Sequence, residues 1–123
     1  MVSDNELNSF IQENIDSFVK WDILVYFSRV PEAVETIDSI SRLTGKTPEE
    51  VQRPLDELVT SGVLHIINDR QTPPSYSINP DFRHRTILEK VNTEMLDRGA
   101  RLKLLTMTME SIKRQNGNEG LKP

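Results

Sequence analysis

Apolar residues recur at helical spacing through the first thirty positions of the chain. Ser3 or Asp4 is suited to cap the start of this segment, and Pro31 ends it. The pattern predicts either one long helix or two helices with a break near Asp16 and Ser17. The apolar positions are Leu7, Phe10, Ile11, Ile15, Phe18, Trp21, Leu24, Val25 and Phe27.

Two shorter helices are predicted next. The first runs from about residue 34 to 43, and Gly45 is placed to end it. The second starts at Thr47, where a capping hydroxyl, a proline and Glu50 three residues on form the signature of a capping box. Gly62 ends this helix. Pro54 lies in its interior, so we expect a kink or a shortened helix there.

The pattern then changes from helical to extended. Val63–Ile67 and Ser75–Ile78 each read as a short strand, and the turn-rich segment 68–74 joins them into a hairpin. Residues 81–115 contain no proline and a single glycine, which predicts one long helix. The polar segment 116–123 is expected to be a disordered tail.

One set of apolar side chains is predicted to form the core between these elements. A three-helix bundle with a separate hairpin would give much the same periodicity. The predicted core residues are Leu24, Phe27, Ile40, Leu43, Val51, Leu55, Leu58 and Leu64.

Composition narrows the class of protein. The 123 residues suit one domain with an added helix, and the absence of cysteine removes disulfides, thiolate zinc sites and thiol nucleophiles. The first residues do not resemble a secretory signal, and no apolar stretch approaches the length of a membrane span, so we expect a cytoplasmic protein without a membrane partner. The net charge of −4 is divided unevenly, with about −7 on residues 1–80 and +3 on residues 81–123.

Catalytic chemistry finds no support in the sequence. There is no nucleophile-elbow motif, no glycine-rich phosphate loop and no paired-histidine zinc motif. The two histidines, His65 and His84, have no third ligand beside them in the sequence. We therefore expect no enzyme activity, no cofactor and no metal site.

The segment Glu35–Ile67 carries a resemblance to a known family. Its second helix ends with Leu55-Asp56-Glu57-Leu58-Val59-Thr60-Ser61-Gly62-Val63-Leu64, which fits the pattern L-x-x-L-x-x-x-G-x-L. The segment from about residue 18 to residue 80 thus resembles the winged helix-turn-helix domains of many prokaryotic transcription regulators. The resemblance implies a mainly α fold with a small β-hairpin. Residues 1–80 would form the winged domain with an N-terminal helical extension, and 81–115 a long dimerisation helix.

The same resemblance implies a DNA-binding surface. The helix from Pro48 to Ser61 would enter the major groove of double-stranded DNA. Gln52 and Arg53 would then reach base edges. The phosphate contacts would come from Arg42, Lys46 and, in the turn between the strands, Arg70.

The charge of this helix favours a different function. Four carboxylates are predicted on its outward side, and carboxylates near phosphates repel them. A winged helix that binds a basic protein partner as an adaptor, and no DNA, is therefore the alternative to a DNA-binding regulator. Small-molecule sensing in a pocket beside Trp21 and Tyr26 is a third hypothesis, but no polar group there supports it. The four carboxylates are those of Glu49, Glu50, Asp56 and Glu57.

The segment 81–115 contains a heptad pattern. Its apolar positions are spaced alternately by three and four residues, with Arg98 as a single polar member. The pattern predicts a coiled-coil interface in a homodimer. The alternative is a helix that folds back on the first helix of its own chain. The predicted interface residues are Leu88, Val91, Met95, Leu102, Leu105, Met109 and Ile112.

Overall fold

The computed structural model describes residues 2–68 and 73–120. Within them the fold is mainly helical with a small three-stranded antiparallel sheet, which confirms the predicted fold class and is consistent with a winged-helix-like architecture. In chain order the elements are α1 (Asp4–Asn14), α2 (Phe18–Arg29), β1 (Glu35–Thr36), α3 (Ile37–Thr44), α4 (Pro48–Thr60), β2 (Leu64–Ile67), β3 (Ser75–Ile78), α5 (Arg85–Met95) and α6 (Arg98–Gly120).

Side-chain caps divide the first apolar stretch into α1 and α2. The Ser3 side chain accepts a hydrogen bond from the backbone N–H of Glu6, so α1 begins where a cap was expected. The Ser17 side chain accepts from the N–H of Lys20 and starts a second helix after a three-residue break. The prediction of two helices with a break near Asp16 and Ser17 is confirmed.

The segment before α3 is extended, although the sequence predicted helix from residue 34. Glu35 and Thr36 form β1 and pair with β3, so the hairpin becomes a three-stranded sheet. Thr36 also caps α3, because its side chain accepts from the N–H of Ser39. Gly45 ends α3 at φ 69°, the left-handed conformation that glycine adopts without strain.

The second helix of the pair, α4, continues through Pro54, so the shortened helix that the sequence suggested as one outcome does not occur. It extends from Pro48 to Thr60, and the capping box between Thr47 and Glu50 is formed as predicted. The ring of Pro54 is buried with the apolar face of the helix, and that packing offsets the missing hydrogen bond.

The sheet has the strand order β1-β3-β2, and all pairs are antiparallel. Leu64 pairs with Ile78 and Ile67 pairs with Ser75, so the wing connection follows directly after the last pair. Arg70, the predicted wing contact, lies outside the described residues.

The core lies between α1, α2, α4, the sheet and α5. It buries every predicted core residue except Leu43, whose side chain is 51% exposed. The two-turn helix α3 buries Ile40, whereas Leu43 lies beside Arg42 and Ser39 at a shallow surface cavity. The prediction of a buried Leu43 was wrong because the apolar face of α3 is narrower than its sequence pattern indicates.

The predicted single helix over 81–115 is two helices. Helix α5 ends at Met95, and α6 begins at Arg98 after a short connection. The carboxylate of Asp97 accepts from the backbone N–H of Ala100 at 2.8 Å, as an N-cap does, so a new helix starts here without a proline.

Helix α6 also extends further than expected. It runs to Gly120, so residues 116–120 of the predicted disordered tail are helical, and 121–123 lie outside the described residues. None of the helices in the described part of the chain is both long enough and apolar enough to cross a membrane.

Candidate nucleic-acid interface

Helices α3 and α4 pack against each other and leave one side of α4 in solvent. Val51, Leu55 and Leu58 are buried on the inner side of α4. The outward side carries the predicted base-reading residues: Gln52 and Arg53 are both exposed, and Arg53 is 87% exposed at its side chain. Helices α3 and α4 with the turn 45–47 between them, which we call the helix-turn-helix unit, thus present these two side chains without obstruction from the described chain.

The predicted phosphate contacts Arg42 and Lys46 lie at the end of α3 and in the turn that follows. Both are exposed. Hydrogen bonds in both directions fix the turn, since the N–H of Lys46 donates to the carbonyl of Ser41 at 3.1 Å and the Ser41 hydroxyl donates to the carbonyl of Lys46. The turn therefore holds Arg42 and Lys46 beside the N-terminus of α4.

Two of the four α4 carboxylates have structural roles within the chain. Glu50 accepts from the backbone N–H of Thr47 at 3.2 Å and completes the cap. Glu57 forms an ion pair with Lys20 at 3.3 Å. Of the two, only Glu57 is paired with a positive charge from another helix, so the outward side of α4 carries somewhat less uncompensated negative charge than the sequence indicated.

The remaining polar side chains of α4 interact along the helix. Gln52 donates to the carboxylate of Asp56 at 3.0 Å. Nε of Arg53 lies 3.7 Å from the Glu57 carboxylate. Exposed pairs of this kind contribute little to stability, so both Gln52 and Arg53 are free to turn toward a ligand at small cost. Glu49 and Asp56 remain exposed on the same side.

Lys20 was not identified from the sequence as part of this region. Only 6% of the residue is exposed, and its ammonium group lies 3.1 Å from Asp16 and 3.3 Å from Glu57. The spacing of Asp16 and Lys20 by four residues is a visible helical pair. Nothing in the sequence, however, links either residue to Glu57, which comes from a different helix.

Two further contacts connect α2 to the helix-turn-helix unit. The Tyr26 hydroxyl donates to the carboxylate of Glu35 in β1, and this hydrogen bond raises the pKa of Tyr26. Partial burial raises the pKa of Asp22, and the nearby positive charge of Lys46 offsets part of the effect. Helix α2 is thus linked by a hydrogen bond to β1, directly before α3, and carries a negative charge near Lys46, in the turn after α3.

The predicted dimer interface is divided by the break between α5 and α6. Leu88 and Val91 are buried inside the chain against the core, so they are not available to a second copy and that part of the prediction was wrong. The break rotates α6 relative to the heptad pattern of α5. Leu102, Leu105 and Met109 of α6 are exposed, while Met95 and Ile112 are partly buried.

The opposite part of α6 folds back on α1 of the same chain. Leu104, Thr108 and Ser111 are fully buried there. Ser111 donates its hydroxyl to the carbonyls of Ile11 and Ile15 at the C-terminal end of α1. The alternative of a helix packed within its own chain is therefore correct for this face. Leu102, Leu105 and Met109, which we call the α6 stripe, lie roughly 125° around the helix from it.

A four-residue ionic cluster holds α5, α6 and α1 together. The carboxylate of Glu94 lies 2.9 Å from Lys90 and 2.8 Å from Lys103, and both lysines also contact Asp4. Burial alone would raise the pKa of Glu94, but the two lysines outweigh it and hold that pKa below 4.5. The hydrogen bond from Lys103 likewise lowers the pKa of Asp4.

Comparison with known proteins adds one structural likeness. No family model matches the chain, and no curated protein matches it. Its structure is similar to that of a possible transcriptional regulator from Methanosarcina mazei Go1, with a TM-score of 0.52 and 19% sequence identity. The match covers 80% of this chain and 85% of the other. At this identity the likeness concerns the fold alone.

Proposed function

We propose that the chain is a non-enzymatic transcription regulator that binds double-stranded DNA through α3 and α4. The observation that carries the proposal is the outward side of α4, where Gln52 and Arg53 are exposed and unobstructed. The ion pair of Glu57 with Lys20 supports it, because the positive charge of Lys20 offsets part of the repulsion that this carboxylate would exert on phosphate.

Each side chain has a role that its chemistry suits. Arg53 can bind guanine through two hydrogen bonds, and Gln52 can do the same with adenine. Arg42, Lys46 and the wing residue Arg70 neutralise phosphates. With about three phosphates neutralised per protomer, each protomer contributes about −2.7 to the slope with which the logarithm of the binding constant falls as the logarithm of salt concentration rises. We therefore expect modest affinity that is measurable only at low salt.

Fluorescence anisotropy with a labelled mixed-sequence duplex at about 50 mM salt tests this function. Arg53→Ala is expected to weaken binding by about 5- to 150-fold, the equivalent of about 1–3 kcal/mol for a bidentate contact. Arg101→Ala is the matched control, since it removes the same charge from an exposed position on α6. Glu49→Gln should strengthen binding by relieving repulsion. Equal losses in the two arginine variants would contradict a role for α4.

We also propose that the regulator is a homodimer paired through the α6 stripe. Leu102, Leu105 and Met109 keep the three–four spacing of a helix seam and stay exposed in the monomer, so pairing two copies would bury them. Light scattering should give about twice 14.1 kDa. Met109→Asp should return the monomer mass, whereas Leu43→Asp, at an equally exposed leucine on α3, should not. A monomer at high micromolar concentration would contradict the proposal.

A protein adaptor is the second candidate, and the exposed carboxylates of Asp38, Glu49 and Asp56 favour it. In this function the helix-turn-helix unit binds a basic segment of another protein. The anisotropy experiment separates the two candidates. Wild type and Glu49→Gln would both fail to bind DNA at low salt, while a lysine-rich peptide would bind wild type and lose affinity in the Glu49→Gln variant.

A further inference from the structure

A cavity of about 520 Å³ lies away from the helix-turn-helix face. It is bounded by α1, by the residues that follow α4, and by the segment 79–84 that leads into α5. Its volume falls in the range of sites that enclose small molecules. The cavity is not the one beside Trp21 and Tyr26 that the sequence suggested.

The floor of the cavity is apolar and aromatic. The ring centroids of Phe10 and Phe82 are 5.9 Å apart, and Val63 and Ile87 lie beside them. His84 stands against Phe82 edge to face, with centroids 5.8 Å apart and an interplanar angle of 76°, and its own ring is exposed at the opening. A flat apolar group could pack on this floor and replace water there.

The rim of the cavity is acidic. Glu6 and Glu13 are seven residues apart, which places both on one face of α1 with Phe10 between them. Both are exposed, and neither forms an ion pair with a described residue. Two other acidic residues in this part of the chain do form ion pairs, since Asp4 contacts two lysines and Asp16 contacts Lys20.

The described residues that line the cavity include neither a lysine nor an arginine, and His84 is their single imidazole. An arginine, Arg83, lines the adjoining cavity on the other side of Phe82 and His84, where Asp81 accompanies it. An anion in the cavity would therefore meet two carboxylates first, whereas a cation would be attracted by both. The apolar floor and the two carboxylates at the rim together suit a ligand that has one flat apolar end and one positively charged end.

We propose that this cavity binds a small organic cation in which an ammonium or amidinium group is attached to a flat apolar body. The apolar body lies on Phe10 and Phe82, and the charged group lies between Glu6 and Glu13. The inference does not depend on DNA binding, because none of these residues belongs to the outward side of α4.

Isothermal titration calorimetry on the full chain without DNA tests the proposal, using benzamidine and phenethylamine as cationic probes. Benzamide and benzoate are the matched neutral and anionic probes of nearly the same shape. At least one cation should bind with a 1:1 stoichiometry, and benzoate should not bind. The double variant Glu6→Gln/Glu13→Gln should weaken cation binding at least tenfold. Glu110→Gln, an exposed carboxylate on α6, should leave it unchanged.

Nuclear magnetic resonance on the wild type provides a readout that does not depend on any variant. The cation should shift the resonances of Phe10, Phe82 and His84 and leave those of α3 unchanged. Binding of benzoate as tight as benzamidine would overturn the proposal, as would the absence of binding by both cations. Cation binding that survives in the double variant, or shifts confined to other parts of the chain, would overturn it as well.

Discussion

Truncation of Leu104 tests the orientation of α6, on which both the fold and the proposed dimer depend. Leu104 is 0% exposed and packs inside the chain, whereas Leu102, two residues earlier on the same helix, is 58% exposed. Replacing a buried leucine by alanine costs about 2–5 kcal/mol of unfolding free energy, because apolar contact is lost and a cavity remains.

The same change at Leu102 should cost much less. Only about two-fifths of its surface is covered, and a fully buried leucine gains about 1.5–3 kcal/mol from burial, so roughly 0.6–1.3 kcal/mol is at stake. The two variants have the same composition and lie on the same helix. The difference between them therefore reports burial and not helix propensity.

Urea unfolding followed by circular dichroism measures both costs. We expect Leu104→Ala to lower the unfolding midpoint clearly with an unchanged slope, and Leu102→Ala to lower it slightly. Repeating the experiment at two protein concentrations separates any dimer contribution of Leu102, since only that part depends on concentration. A loss for Leu104→Ala equal to or below that for Leu102→Ala would refute this orientation of α6.

Three further predictions concern polar groups in and near the core. The pKa of Glu94 is held below its ordinary 4.5 in the folded chain, so the stabilisation by this carboxylate is present above pH 4.5 and is lost as the pH falls through the lower folded value. Glu94→Gln should therefore flatten the fall in melting temperature on acidification, and an unchanged acid profile would contradict this. The buried Thr108 hydroxyl has no hydrogen-bond partner among the described residues, so Thr108→Val should be neutral or stabilise the fold by about 1 kcal/mol. A clear loss of unfolding free energy, measured by urea unfolding, would count against that placement of the hydroxyl. Glu57→Gln leaves the buried Lys20 with a single carboxylate and should lower the unfolding free energy by about 1–3 kcal/mol, more than Glu49→Gln at an exposed position does.

Local signals in the sequence were sufficient for most of the helix boundaries. The capping box at Thr47 and Glu50 and the left-handed Gly45 act through neighbouring residues, so a linear pattern contains them. The break between α5 and α6 is local too, but its signal is weak. Asp97 caps α6 without a proline or a change of hydrophobic spacing, and a continuous heptad pattern concealed it.

Tertiary pairing accounts for what the sequence could not predict. The segment at Glu35 becomes a strand because β3 is available to pair with it, and Leu43 stays half exposed because no described part of the chain covers it. The charge of the candidate DNA-binding face depends on Lys20, which reaches Glu57 from another helix. A count of carboxylates along α4 therefore overstated the repulsion that DNA would meet.

A nuclear magnetic resonance titration of the labelled chain with a mixed-sequence DNA duplex at low salt tests the central claim most directly. The proposed function predicts shifts in the backbone amides from Arg42 to Arg53, with little change in α6. The shifts should shrink as salt is added, because added salt makes the release of counterions from the DNA less favourable and so weakens binding. An unchanged spectrum across the helix-turn-helix unit, or shifts located on α6 and absent from α4, would contradict the claim.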